Sequence, residues 1–173
     1  VYGNIMQTSF TEKQLLDKDN KSSESILRKC VHCGMCNATC PTFCVNGEEL
    51  EGPRGRIYLI KDMLENKKPA NKKVVKHIDS CLSCYSCMTT CPSGVNYMHL
   101  IDHGRNYVEE TYKRPFFDRL FRNVLSFVLP RPKVFLVLAY LSKLIKPFSF
   151  LLPTFLKNSL NLMPNKIPSK KIE

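Results

Sequence analysis

Apolar residues along most of this chain recur at helical rather than strand spacing. After the turn signals Asn46-Gly47 and Gly52-Pro53, the side chains of Ile57, Ile60 and Leu64 share one face, with Met63 beside them. Pro69 closes that run. Val74 or Val75, Ile78 and Leu82 mark a second, shorter helix, and Met98, Ile101, Val108 and Tyr112 keep one face apolar over about four turns. Nearer the start, Thr11 and Gln14 have capping-box spacing, with Phe10 and Leu15 placed as a hydrophobic staple. The stretch "SSESILRK" offers another helix start, with Ser22 or Ser23 as cap and Glu24 in the first turn. No segment alternates as a half-buried strand does. The pattern predicts a mostly α chain in which residues 1–21 form an N-terminal leader that adds little core.

The texture changes near residue 113. Prolines at 115, 130, 132, 147, 153, 164 and 168 cut the rest into short apolar pieces. The longest uninterrupted apolar run, Val134–Leu141, is eight residues, against about 20 for a membrane-spanning helix. The expectation is a helical domain over residues 22–112 and a proline-interrupted helical tail over 113–173, with no transmembrane span. The tail has three readings. It packs against another subunit or a further domain, it lies peripherally on a membrane with Lys133, Lys143 and Lys146 near lipid headgroups, or it completes the local core.

Composition adds a basic balance, formally +11. Lys and Arg are spread from Lys13 to Lys171 with only short runs, so a docking face for an acidic partner or anionic lipid is favoured over nucleic-acid binding. Residues 1–29 are polar and contain no apolar secretory segment, which points to a cytoplasmic setting in which clustered cysteines bind metal rather than pair as disulfides.

The chemistry lies in those cysteines. Eight of the nine sit in two blocks, "CVHCGMCNATCP" at 30–41 and "CLSCYSCMTTCP" at 81–92, with the same gaps of two, two and three residues and a proline after the last. A structural zinc uses two CxxC pairs, which leaves Cys36 and Cys87 without a job. The run C-x2-C-x2-C-x3-C-P is instead the signature of bacterial two-cluster ferredoxins, in which the fourth cysteine serves the other cluster. The expected ligand sets are therefore crossed. Cys30, Cys33, Cys36 and Cys91 hold one [4Fe–4S] cluster, and Cys81, Cys84, Cys87 and Cys40 hold the second. Cys44 stands outside the rhythm and reads as a small buried residue. His32 reads as a loop residue. His99 and His103 lie one turn apart without an evident third ligand, and His77 joins no metal set. No nucleophile–base constellation and no GxGxxG loop is present, so the chain carries no substrate chemistry and no flavin or nicotinamide site of its own.

The segments "SILRKCVHCGMCNATCPTF", "GEELEGPRGRIYLIKDMLE", "HIDSCLSCYSCMTTCPSGVNY" and "LIDHGRNYVEE" resemble the iron–sulfur subunit of bacterial glycolate oxidase (glycolate dehydrogenase), over about residues 6–155. The resemblance implies an α-helical ferredoxin-type fold and an FAD-binding partner subunit that oxidises glycolate, with a third subunit in the complex. Electrons would pass from that FAD through two [4Fe–4S] clusters to a quinone or membrane acceptor. It implies that the eight motif cysteines are ligands and that Arg54 and Arg56 hold the segment between the blocks. Family members continue into a second half with paired-cysteine CCG repeats. No such pair occurs here, so the chain reads as the N-terminal part of a longer protein. The competing functions are the equivalent subunit of a lactate or glycerol-3-phosphate dehydrogenase complex, a free-standing two-cluster ferredoxin carrier, and a zinc-stabilised nucleic-acid binder.

Overall fold

The structure, a computed structural model, describes residues 6–145, with side chains as far as Leu141. The chain divides into two units, Val1–Lys113 and Arg114–Glu173. Among the described residues there are helices and no strand.

The first unit contains α1 (Glu12–Leu15), α2 (Lys18–Arg28), α3 (Met35–Ala38), α4 (Pro41–Asn46), a 3-10 turn at Glu49–Glu51, α5 (Pro53–Asn66), α6 (Lys72–Asp79), α7 (Ser86–Thr89) and α8 (Tyr97–Thr111). Helix α5 is the hub. Pro53 starts it, in the first turn where a missing N–H costs nothing. Lys67 ends it in the left-handed conformation at φ 48°, its N–H returning to the Met63 carbonyl, before Pro69 is reached. The expected face is buried: Ile57, Ile60, Met63 and Leu64 join Ile26 and Leu27 of α2, Val75 and Ile78 of α6, and Leu100, Ile101 and Val108 of α8 in one core. Each such aliphatic side chain contributes about 1.5–3 kcal/mol on burial.

Two glycines set how closely these pieces approach. A Cβ on Gly55 would lie 2.3 Å from the Glu49 carbonyl oxygen, so only glycine lets the 3-10 turn rest on α5. A Cβ on Gly104 would lie 2.8 Å from Ile60, at the crossing of α8 and α5.

Four expectations are corrected. The leader does reach the core: Met6 is buried and its N–H donates to the Cys30 carbonyl at 3.1 Å. Gln14 is buried too, with Nε2 donating to the carbonyls of Leu64 (2.8 Å) and Glu65 (3.0 Å) near the end of α5, where helix carbonyls lack partners. The capping box at Thr11 and Gln14 is present as expected. Helix α2 begins ahead of Ser22, because Asp17 caps it by accepting from the Asp19 N–H; Ser23 is an interior residue whose Oγ meets His103 Nδ1 at 2.7 Å. Leu82 leaves the apolar stripe and is exposed, since α6 stops at Asp79 and the chain turns into the second cysteine loop. Met98 is likewise exposed, and Tyr97 and Leu100 face inward in its place.

The second unit contains α9 (Phe116–Val128) and α10 (Pro132–Ile145), which meet at a bend of 114°. Helix α9 exposes Phe117, Leu120, Phe121 and Val124 along one side. No single helix among the described residues is long and apolar enough to cross a membrane. The Lys143 side chain, Lys146 and the prolines from Pro147 onward lie outside the described residues.

Candidate metal centre

The two cysteine blocks repeat in backbone as well as in sequence. His32 and Ser83 both have φ 52°; two residues on, Gly34 has φ 81° and Tyr85 φ 56°. A short helix follows each, α3 after the first loop and α7 after the second. Left-handed residues spaced this way curl a tight loop and turn neighbouring N–H groups to one side, an arrangement that receives anions. Tyr85 adopts a conformation that non-glycine residues disfavour, where the first loop uses glycine.

An arginine holds each loop. Arg54 at the start of α5 donates through Nη1 to the His32 carbonyl at 3.4 Å and through Nε to Glu49 at 2.6 Å. Arg105 of α8 donates to the Cys81 carbonyl and to Ser83 Oγ, both at 2.6 Å. The His32 ring stacks on Tyr58 with centroids 4.3 Å apart, and neither ring nitrogen has a protein partner.

A hollow of about 430 Å³ opens inside the first loop, and Cys30, Cys33, Cys36 and Cys91 line it together with Arg54. A second hollow of about 300 Å³ opens inside the other loop, lined by Cys40, Cys81, Cys84 and Cys87 together with Arg56. The first thus gathers the three leading cysteines of its own block with Cys91 and Cys87 of the other, and the second gathers three cysteines of its block with Cys40 of the other. Pro53, Cys87 and Tyr97 line both, so a single wall separates them. No carboxylate lines either hollow, and an arginine reaches each, which suits an assembly of four thiolates with net negative charge.

All nine cysteines are free of disulfides. Burial pushes the Cys36 thiol up to about 11, with the charges of Cys30, Cys91 and Cys33 adding to it. Burial pushes Cys87 up to about 12, with Cys36, Cys40, Cys81 and Cys84 adding. Burial also raises Cys30, whereas Cys84 is lowered by hydrogen bonds from Ser86. Thiols crowded this way resist ionisation unless a cation sits among them, and a metal core reverses that preference.

The spacing of the sulfurs bears on which core fits. Tetrahedral zinc at about 2.3 Å from sulfur would bring its ligands to about 3.8 Å from one another. Among the described residues, the one group of three or more His, Cys, Asp or Glu donors lying within 4.8 Å of one another is Glu48, Glu51 and His77, so no three cysteine sulfurs come that close. The sulfurs ring a space wider than a single ion, and four thiolates round such a space fit an iron–sulfur cluster.

Glu48, Glu51 and His77 belong to a polar network around Arg56. The Glu51 carboxylate accepts from Arg56 Nη2 at 3.0 Å, from His77 Nδ1 at 2.7 Å and from Ser80 Oγ. Burial alone would raise Glu51, but the Ser80 and His77 hydrogen bonds and the charges of His77 and Arg56 leave it below the usual carboxylate range. His99 and His103 have ring centroids 6.3 Å apart, and His103 Nδ1 is engaged with Ser23, so they form no metal pair here. Cys44 is exposed rather than buried, because α4 buries none of its residues; its Sγ lies 3.4 Å from the Ala38 carbonyl.

Some neighbours of the sulfurs were not evident in the sequence. The Tyr97 hydroxyl lies 3.8 Å from Cys81 Sγ, and Arg56 Nη1 lies 3.9 Å from Cys40 Sγ. Arg105 and the Glu51–His77 pair were also missed. Nothing in the spacing of these residues marks them, since they reach the site from α5, α6, α8 and the 3-10 turn.

Residues 26–95 match the family of 4Fe-4S dicluster domains, and this segment is such a domain, helical and without strands. The wider chain is 50% identical over 83% of its length to the glycolate oxidase iron-sulfur subunit of Escherichia coli (strain K12), covering 35% of that protein. It is 32% identical over 65% of its length to a probable glycolate oxidase iron-sulfur subunit of Bacillus subtilis (strain 168), covering 26% of it. A mitochondrial succinate dehydrogenase iron-sulfur subunit of Candida glabrata is 27% identical over 45% of the chain. The resemblance read from the motifs is borne out, and the chain spans about a third of the length of the glycolate oxidase subunit it matches best in identity among these. No solved structure matches.

Proposed function

We propose that this chain is the electron-relay segment of a flavin-dependent glycolate-oxidising complex. Cys30, Cys33, Cys36 and Cys91 would hold one [4Fe–4S] cluster, and Cys81, Cys84, Cys87 and Cys40 the other. The observation that carries the reading is the lining of the two hollows: Cys91 joins Cys30, Cys33 and Cys36 in the first, Cys40 joins Cys81, Cys84 and Cys87 in the second, and Cys87 lies on the wall common to both. When bound, each cluster supplies a one-electron relay. The protein's part is to fix the thiolates in the two loops, to clamp those loops through Arg54 and Arg105, and to keep the two sites on either side of Pro53, Cys87 and Tyr97. The identity to the E. coli glycolate oxidase subunit supports glycolate as the substrate of the assembly, FAD on a partner subunit as the electron source, and a quinone or other membrane acceptor as the sink.

The test begins with anaerobic purification, which is expected to give a brown protein with about eight irons that bleaches on reduction. A colourless, zinc-loaded protein would overturn the reading. Cys91→Ala is expected to remove the cluster of the first loop, and Cys40→Ala that of the second. Each change removing the cluster of its own loop instead would refute the crossed sets. Co-purification with an FAD-containing subunit that oxidises glycolate tests the assembly, and a chain that binds clusters but captures no flavoprotein would favour a free carrier.

A further inference from the structure

The two sites differ in what faces their sulfurs. Arg56 is almost fully buried, at 1% exposure, and directs Nη1 at Cys40 Sγ from 3.9 Å. Its remaining N–H groups are anchored: Nε on the His77 carbonyl at 2.7 Å, and Nη2 on Thr42 Oγ1, Glu51 Oε2 and Ser80 Oγ, each at 3.0 Å. Tyr97, also buried, directs its hydroxyl at Cys81 Sγ from 3.8 Å. Thr42 Oγ1 lies 3.2 Å from Cys40 Sγ, but its hydroxyl donates to the Glu51 carbonyl at 2.7 Å rather than to the sulfur. Against these donors stands one carbonyl, that of Glu51, at 3.7 Å from Cys40 Sγ.

At the other site the donors to the sulfurs are backbone groups, among them the His32 backbone to Cys30. Cys91 Sγ accepts from the Val95 backbone N–H at 3.5 Å. Asn37 Oδ1, an acceptor, lies 3.9 Å from Cys36 Sγ. Arg54 is partly exposed and spends its Nε on Glu49 and Nη1 on the His32 carbonyl.

Reducing a cluster adds one negative charge, part of which falls on the ligand sulfurs. Donors aimed at those sulfurs stabilise the reduced form more than the oxidised one and raise the reduction potential, more so where water is excluded. Glu51 partly offsets the Arg56 charge. It binds Nη2, however, whereas Nη1 faces Cys40, so the positive end of the pair is turned toward the sulfur.

We propose that Arg56 and Tyr97 are positioning residues that set the potential of the Cys40/Cys81/Cys84/Cys87 site and make it the higher-potential site of the two. The inference rests on the cluster assignment above and adds a direction to the relay: at equilibrium the electron resides on the side of the second loop.

The experiment is an anaerobic redox titration of the full chain with dithionite and mediators, followed by electron paramagnetic resonance, with iron counted on each sample. Wild type is expected to show two waves. Cys84→Ser, at an exposed ligand of the second loop, identifies which wave belongs to that site, and it should be the higher one. Tyr97→Phe removes only a hydroxyl and is expected to shift that wave to lower potential while the other stays in place. Arg56→Lys keeps the charge, loses the fork and should shift the same wave further. A lowered melting temperature with both waves unmoved would reduce Tyr97 and Arg56 to structural residues and overturn the proposal. A shift confined to the other wave, or a second-loop wave that is the lower one, would also overturn it. Wild type without about eight irons would instead defeat the cluster assignment on which it rests.

Discussion

Single positions in the cysteine loops answer to backbone conformation before side-chain chemistry. Gly34 sits at φ 81°, and a Cβ there would lie 2.8 Å from Arg54 Nη1. Gly34→Ala is therefore expected to destabilise the protein by about 1 kcal/mol or more and to loosen the Arg54 clamp, read as a lower denaturant midpoint with unchanged slope. His103 makes a separate prediction. Burial lowers it, with His99 lowering it further, while Asp19, Asp17 and Glu110 pull the other way. A histidine whose folded value is depressed contributes stability above its unfolded value of about 6.5 and loses it as pH falls through the folded value. The melting temperature should fall from pH 7 to pH 5 more steeply in wild type than in His103→Gln, and equal slopes would rule this out. The sequence made the eight motif cysteines legible because a tight loop round one object forces a short, fixed spacing. It left Tyr97, Arg105 and Glu51 unmarked, and it misplaced Cys44, because burial of an isolated cysteine depends on what covers its helix.

Helices were legible where the periodicity had a partner. The α5 stripe is buried as the spacing foretold, and its end before Pro69 follows from the chain's limited choices there. Errors fall at helix ends. Ser23 looked like a cap, yet it packs against α8 once Asp17 has started the helix earlier. Leu82 and Met98 looked apolar and inward, yet Leu82 lies inside the second cysteine loop and Met98 in the first turn of the helix after it, and both are exposed. The crossing of α5 and α8 depends on the missing Cβ of Gly104. Gly104→Ala must displace Ile60 in a filled core, so a loss of about 1–3 kcal/mol is expected in urea unfolding. An unchanged midpoint would mean that the two helices separate freely. The buried Arg56–Glu51 pair joins the 3-10 turn, α5 and α6, and its removal from one side would leave an uncompensated charge in the interior.

The two units give the chain two kinds of surface. The first has a core reaching from Met6 to Val108, and every cysteine belongs to this unit. Residues 1–113 expressed alone are expected to fold and to bind about eight irons, checked by iron assay and visible absorbance. A colourless, aggregated fragment would show that the cluster unit depends on the rest. The second unit exposes Phe117 at 82% and Phe121 at 52%, side chains that isolated soluble helices rarely leave uncovered in a row. The sequence by itself determined the helical class, the cluster type and the family, because periodicity and cysteine spacing are local and survive without knowledge of neighbours. The motif already led to crossed sets, but placing Cys91 beside the first loop and Cys40 beside the second needs the folded chain to bring residues 41 or more positions apart to one hollow. The same is true of the unequal donors around the sulfurs, since a hydrogen bond from Arg56 or Tyr97 exists only once α5 and α8 have packed.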